Sequence, residues 1–194
     1  MRKMQRILSV RHTGHGHVML RITGGERAVL YTVTEMTYSS LGFPPSGEEL
    51  CGGDMDAVIR DDSLFRAQKK ALGILSYGDV SRSMLRMKLL RAGFDRDIVE
   101  EAVKFAVQGG YLDEERQLAR LVEREARESM RGPYYIKRKL TAKGYSSRDV
   151  SEAIIALSES GQIDFDEIFE RLCDKLGASE EERTALAYKR GFRA

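Results

Sequence analysis

The stretch "MKLLRAGFDRDIVEEAV", Met87–Val103, returns 51 positions later as "RKLTAKGYSSRDVSEAI", Arg138–Ile154. Under that shift Lys88, Leu89, Gly93, Val99, Glu101 and Ala102 fall on Lys139, Leu140, Gly144, Val150, Glu152 and Ala153, and Phe94 falls on Tyr145. The match runs on in both directions, with Leu85 on Ile136, Gly110 on Gly161, Leu112 on Ile163, Asp113 on Asp164 and Leu121 on Leu172. Two kinds of position are kept: apolar residues spaced by three and four, and the glycines that stop helices. That is the pattern of a structural repeat of about fifty residues.

The punctuation within each copy predicts short consecutive helices. Ser81 caps a helix that stops near Gly93, Asp95 caps the next as far as Gly109 and Gly110, and Asp113 opens a third. From Asp61 onward Pro133 is the sole proline, and it suits a first helical turn. Upstream, "LFRAQKKALGILSYG" supplies the leading helix of the first copy; downstream, "FDEIFERLCDKLG" supplies that of a third, and Gly191-Phe192 echoes Gly93-Phe94 and Gly144-Tyr145. The expected organisation is an N-terminal segment over 1–60, three-helix repeats over 61–111 and 112–161, and a third repeat over 162–194 that stops before its last helix.

The N-terminal segment has a different texture. "VMLRIT" and "RAVLYTVT", Val18–Thr23 and Arg27–Thr34, are rich in β-branched residues and joined through Gly24 and Gly25, which predicts a β-hairpin. The following "LGFPPSGEEL" reads as a connector, with Ser46 and Glu49 spaced as a capping box for a short helix. His12, His15 and His17 crowd into "HTGHGH". Intervening glycines and the lack of a flanking carboxylate or cysteine make this run a flexible entry to the hairpin rather than a metal site.

Composition narrows the function. A formal net charge of +2 with 32% charged residues gives a densely mixed surface, so any basic function is local. The two cysteines, Cys51 and Cys173, have no CxxC spacing, and no apolar run reaches the length of a membrane span or signal peptide; the chain reads as a reduced, cytoplasmic protein. Neither phosphate-loop pattern occurs, nor GxSxG or HExxH, and Glu101 and Glu152 have no partner group for acid–base work. No cofactor and no catalytic residue is expected.

"KLLRAGF", "GYLDEERQLARLVERE", "GPYYIKRKLTAKGY" and the terminal "KRGF", taken in order, resemble the tandem motifs of the RecX family, over about Ala57 to Phe192. The resemblance implies a mainly α fold: tandem three-helix repeats forming an elongated curved stack, here preceded by the small N-terminal β-hairpin segment. It also implies a non-enzymatic regulator that enters the groove of a RecA filament on single-stranded DNA. Such a protein would limit filament growth and damp ATP hydrolysis, strand exchange and co-protease activity, and so modulate repair, recombination and the SOS response. The expected partner is the RecA filament, with single-stranded DNA touched inside it, and the expected state is a monomer. Two features depart from the family pattern: Met84 stands where a capping-box carboxylate is common, and the last helix is not present.

Contact residues are sought where cations concentrate. Arg82, Arg86, Lys88 and Arg91 share a stretch, Ser81 to Gly93, that lacks any acidic residue, and Lys137, Arg138, Lys139 and Lys143 do the same one repeat later. Leu85 with Leu89, and Ile136 with Leu140, recur at four and so face the core, leaving most of these charges outward. Singly, each reads as a solvated residue near a helix C-terminus; as two matched patches they read as a surface for phosphates or for an acidic protein face. At least one of Tyr134 and Tyr135 is expected to pack between units rather than on a base. The competing reading is a helix-turn-helix-like DNA-binding protein that acts without RecA, which mixed charge and near-neutrality disfavour.

Overall fold

The computed structural model describes residues 5–24 and 27–193. The chain divides into two compact units, one built from residues 1–73 and 88–106, the other from 74–87 and 107–194.

In the first unit, β1 (Gln5–His12), β2 (His17–Gly24), β3 (Arg27–Thr34) and β4 (Glu49–Leu50) form an antiparallel sheet in the order β3-β2-β1-β4. The expected hairpin is β2–β3, in register from His17 opposite Thr34 to Gly24 opposite Arg27. Gly25, the second glycine of its turn, lies outside the described residues.

Strand β1 corrects the reading of the histidine run. Ile7 is fully buried while its neighbour Leu8 is 42% exposed, the alternation of a half-buried strand. Thr13–Gly16 is then a tight turn, closed by the Thr13 N–H donating to the His17 carbonyl at 2.8 Å, with Gly16 at φ 72°. The connector is corrected as well. Ser46 caps no helix: its hydroxyl donates to the Leu8 carbonyl at 2.8 Å, and Glu49 and Leu50 pair with Arg6 and Gln5 as β4. The outer edge of β1 has backbone groups that need partners, and this segment supplies them. Between β3 and β4 lies α1 (Glu35–Ser40), capped by the Thr34 side chain.

Against the sheet packs α2 (Gly52–Leu75), with Met55 and Val58 joining Ile7, Val18, Leu20, Ile22 and Val33 in one core. Its carboxylates hold the outer edge of β3: Asp62 accepts from the Thr32 N–H at 2.8 Å, and Asp61 from the Thr34 N–H at 2.7 Å. The same unit takes in most of α4 (Arg96–Gln108), whose Glu101 pairs with Arg60.

The second unit is helical: α5 (Glu114–Arg127), α6 (Pro133–Ala142), α7 (Ser147–Glu159), α8 (Phe165–Leu176) and α9 (Glu180–Arg190), with residues 74–87 adding the first turns of α3 (Arg82–Arg91). Side chains cap the starts as the sequence predicts, Asp113 accepting from the Arg116 N–H and Asp164 from the Glu167 N–H, both at 3.0 Å. Leu118, Leu121 and Val122 of α5, Ile136 and Leu140 of α6 and Val150, Ile154 and Leu157 of α7 close one core.

The repeat is visible in the helix ends. Phe94 N–H donates to the Leu89 carbonyl, Tyr145 N–H to that of Leu140 and Phe192 N–H to that of Ala187, each one residue after a glycine at φ 90°, 87° and 79°. That six-to-one bond is the Schellman closure, which also ends α1 (Phe43 N–H to the Tyr38 carbonyl) and α8 (Ala178 N–H to that of Cys173). By their 51-residue register α3 and α6 are equivalent second helices, and α9 ends on the same glycine-aromatic pair. The fold is mainly α, tandem three-helix units preceded by a small antiparallel sheet. Among the described residues, no helix is long and apolar enough to cross a membrane.

Candidate partner-binding face

The candidate cations lie on α3 and α6. Leu85, Leu89, Ile136 and Leu140 are all fully buried, as their spacing requires, which turns the intervening side chains outward. Neither helix has an acidic residue in its first turn, and Lys88, Arg91 and Lys139 stand in last turns, where the helix dipole favours cations.

The eight residues divide by what they touch. Arg82 is held by Glu114 of α5: its Nε lies 3.0 Å from one carboxylate oxygen, and its backbone N–H donates to the other at 2.8 Å. Glu114 thereby supplies to α3 the carboxylate that Met84 cannot, alongside Ser81, whose hydroxyl accepts from the Met84 N–H at 3.2 Å. Lys139 is also engaged, with Nζ 2.6 and 2.7 Å from the two oxygens of Glu125, a carboxylate whose side chain is only 5% exposed. Arg86 is half-buried, whereas Lys88, Arg91, Lys137, Arg138 and Lys143 are exposed.

Sequence reasoning missed Arg131. Its guanidinium sits 4.2 Å from the centre of the Tyr135 ring, with Arg138 at 5.7 Å and Lys139 at 6.0 Å, so one half-buried tyrosine gathers three cations. The available signal was Arg131 standing two residues before Pro133, just ahead of the basic helix. Tyr134 is 54% exposed. Tyr135 instead packs at a joint, its backbone so near Gly191 that a Cβ there would lie 2.4 Å from the Tyr135 nitrogen.

That joint occurs twice within the second unit. At the start of α3, the Ser81 hydroxyl donates to the Lys143 carbonyl at 3.0 Å, beside Gly144 at the end of α6. At the start of α6, the Gly132 N–H donates to the Arg190 carbonyl at 2.9 Å and the Tyr134 N–H to that of Gly191 at 3.0 Å, at the end of α9. Each second helix thus begins where the next one ends, and Lys143 is brought beside the first turn of α3. Lys88 and Arg91 belong to the first unit.

The histidines go separate ways. His12 Nδ1 is 2.9 Å from Glu35, while the His17 ring is 5.0 Å from that of Phe65. Among the described residues, no three His, Cys, Asp or Glu side chains gather in a way that could hold a metal ion.

Comparison with known proteins gives concordant matches. The family described as "RecX, first three-helix domain" matches residues 67–105. A protein named "Regulatory protein RecX" from Clostridioides difficile (strain 630) is 25% identical over 118 residues, taking in 61% of this chain and 55% of the relative. Another of that name from Lactococcus lactis subsp. cremoris (strain SK11) is 26% identical over 119 residues, 60% of this chain and 44% of the relative. The aligned region thus spans about half the length of these relatives. Among solved structures, one described as "Crystal structure of regulatory protein RecX" superimposes with a TM-score of 0.72 at 20% identity, covering 97% of this chain and 95% of its own. RecX from Lactobacillus salivarius gives 0.53 at 21% identity over 63% of this chain and 80% of its own. At these identities the structures speak for the fold, and the matched three-helix domain and the named relatives show that this chain is similar to RecX proteins over that region.

Proposed function

We propose that this chain is a regulator of the RecA recombinase, binding its filament on single-stranded DNA and restraining filament growth, ATP hydrolysis, strand exchange and co-protease activity. It does so without catalysis of its own, as a monomer in the cytoplasm, with consequences for repair, recombination and the SOS response. The observation that carries the reading is the exposure of Lys137, Arg138 and Lys143 on α6 together with Lys88 and Arg91 on its repeat-mate α3, in a chain whose relatives are named regulatory protein RecX. A helical filament presents the same surface again and again, and repeated units let several weak contacts add. The names of the relatives support the regulatory role, and the matched cations supply a physical means of attachment.

The test adds the protein to preformed RecA filaments and follows ATP hydrolysis and filament length together. The wild-type chain should slow hydrolysis and shorten filaments. A variant with alanine at Lys88, Arg91, Lys137, Arg138 and Lys143 should keep its helical content and require about tenfold more protein for the same effect, the loss of roughly 1.4 kcal/mol of binding. Unchanged inhibition would reduce these cations to solvated helix surface. Tight, steeply salt-dependent binding to DNA in the absence of RecA would favour the DNA-binding reading instead.

A further inference from the structure

Between α5 and α7 the second unit carries a groove of about 560 Å³ whose lining includes Arg82 but none of the five exposed cations. Its rim is acidic: Glu114 and Glu115 from the first turn of α5, Asp149 and Glu152 from α7. Its floor is apolar and shallow-walled, because Ala119, Ala153 and Ala156 stand where longer side chains would fill the space. Two of the four carboxylates already hold arginines of this chain, Arg82 on Glu114 at 3.0 Å and Arg148 on Glu152 at 2.7 Å. Glu115 and Asp149 are exposed and make no ion pair among the described residues. The rim thus combines a demonstrated geometry for guanidinium with two carboxylates left over.

We propose that this groove docks a short protein segment that lays an aliphatic side chain on the alanine floor and sets basic side chains against Glu115 and Asp149. A nucleic-acid strand is the wrong partner, since its phosphates would face the two carboxylates that hold no arginine, Glu115 and Asp149. A small cation would leave the alanine floor uncovered. Exposed ion pairs contribute little to affinity, so the floor supplies binding and the rim selects the sign of the partner. The inference deepens the proposed function and rests on it in one respect: the segment is assigned to the protein, not the DNA, of the RecA nucleoprotein filament. The chain would then meet its partner through carboxylates of this groove as well as through its exposed cations.

Co-sedimentation with preformed RecA filaments on single-stranded DNA tests it, using two variants of the full chain. Glu115→Lys with Asp149→Lys inverts the free part of the rim; Ala153→Leu with Ala156→Leu fills the floor without changing charge. Circular dichroism and thermal melting establish that each is folded. Both should need at least about tenfold more protein to reach half-maximal sedimentation. If the wild-type chain sediments and both folded variants match it, the groove is not a docking site while the proposed function stands. If the wild-type chain does not sediment, the proposed function fails and the assignment of the segment fails with it. If the wild-type chain self-associates and the floor-filled variant is monomeric, a second copy occupies the groove and the proposal is overturned.

Discussion

Lys139 Nζ bridges both oxygens of Glu125, at 2.6 and 2.7 Å, over a carboxylate whose side chain is 5% exposed. This pair separates two lysines that look alike in sequence. Replacing Lys139 by methionine keeps the aliphatic stem but leaves a buried carboxylate without its cation. The expected loss is ~1–3 kcal/mol, below the full cost of breaking a buried pair because Lys139 itself is about one-third exposed. Lys137→Met on the same helix should change stability by under ~0.5 kcal/mol. Urea unfolding of the two variants measures the difference, and equal midpoints would mean that Glu125 finds another partner.

The glycines that follow equivalent helices should not be equivalent in stability. Gly93 and Gly191 both have positive φ, 90° and 79°, so alanine strains the backbone at either, by ~1–2 kcal/mol. Only at Gly191 does the added carbon also meet the Tyr135 backbone nitrogen, at 2.4 Å; at Gly93 it meets nothing within 4 Å. Gly132 gives the complementary case, with an ordinary φ of −79° but a Cβ that would stand 2.3 Å from Gly191 atoms. Gly191→Ala and Gly132→Ala should therefore each cost on the order of 2–4 kcal/mol, more than Gly93→Ala. Thermal melts that rank Gly93→Ala as the most damaging of the three would contradict the end-to-end joint.

What could be read in the sequence was local or periodic. The Schellman turns that end α3, α6 and α9 follow from a glycine and an aromatic recurring at Gly93-Phe94, Gly144-Tyr145 and Gly191-Phe192, and the caps at Asp113 and Asp164 follow from neighbours three residues away. Strand β1 was hidden because its alternation is weak, Arg6 and Leu8 both lying on the exposed side of a strand whose register slips between Ile7 and Ser9. In β4, two residues carry no periodicity at all. The sorting of the cations was equally out of reach. Glu114 caps Arg82 from 32 positions away and Glu125 engages Lys139 from 14, separations fixed by helix packing rather than by any spacing rule.

The outer edge of β3 offers a third test. Asp62 Oδ1 takes the Thr32 N–H and its Oδ2 takes Arg66 at 2.8 Å, while Asp61 Oδ2 takes both the N–H and the hydroxyl of Thr34. Two helix carboxylates thus occupy backbone donors that would otherwise invite another strand. Asp62→Ala leaves the Thr32 N–H unpaired in a half-buried setting, at a cost of ~1–3 kcal/mol. Amide exchange at Thr32 and Thr34 should accelerate in the Asp61→Ala, Asp62→Ala double variant, with concentration-dependent light scattering as the edge is bared. Unchanged exchange would show that α2 covers this edge sterically and that the carboxylates are incidental.

Tyr145 sets a pH dependence whose sign can be worked out. Its ring is buried, its hydroxyl donates to Gln117 Oε1 at 2.9 Å, and burial, reinforced by Asp79 and Glu114, pushes the phenol up to about 12 from its ordinary value near 10. Because the folded value lies above the unfolded one, the neutral phenol's contribution is fully present below about pH 10. As pH rises, the unfolded chain releases this proton first, so the contribution declines progressively and is gone above about pH 12, once the folded phenol ionises as well. Tyr145→Phe removes that dependence and also strands the Gln117 oxygen, costing ~1 kcal/mol at neutral pH. Urea midpoints from pH 8 to pH 11.5 should therefore fall more steeply for the wild-type chain than for Tyr145→Phe, and the two curves should converge on the alkaline side. Parallel curves would mean that Tyr145 ionises as readily in the folded chain as in the unfolded one, which a phenol sealed between Gln117 and the α5–α7 core should not do.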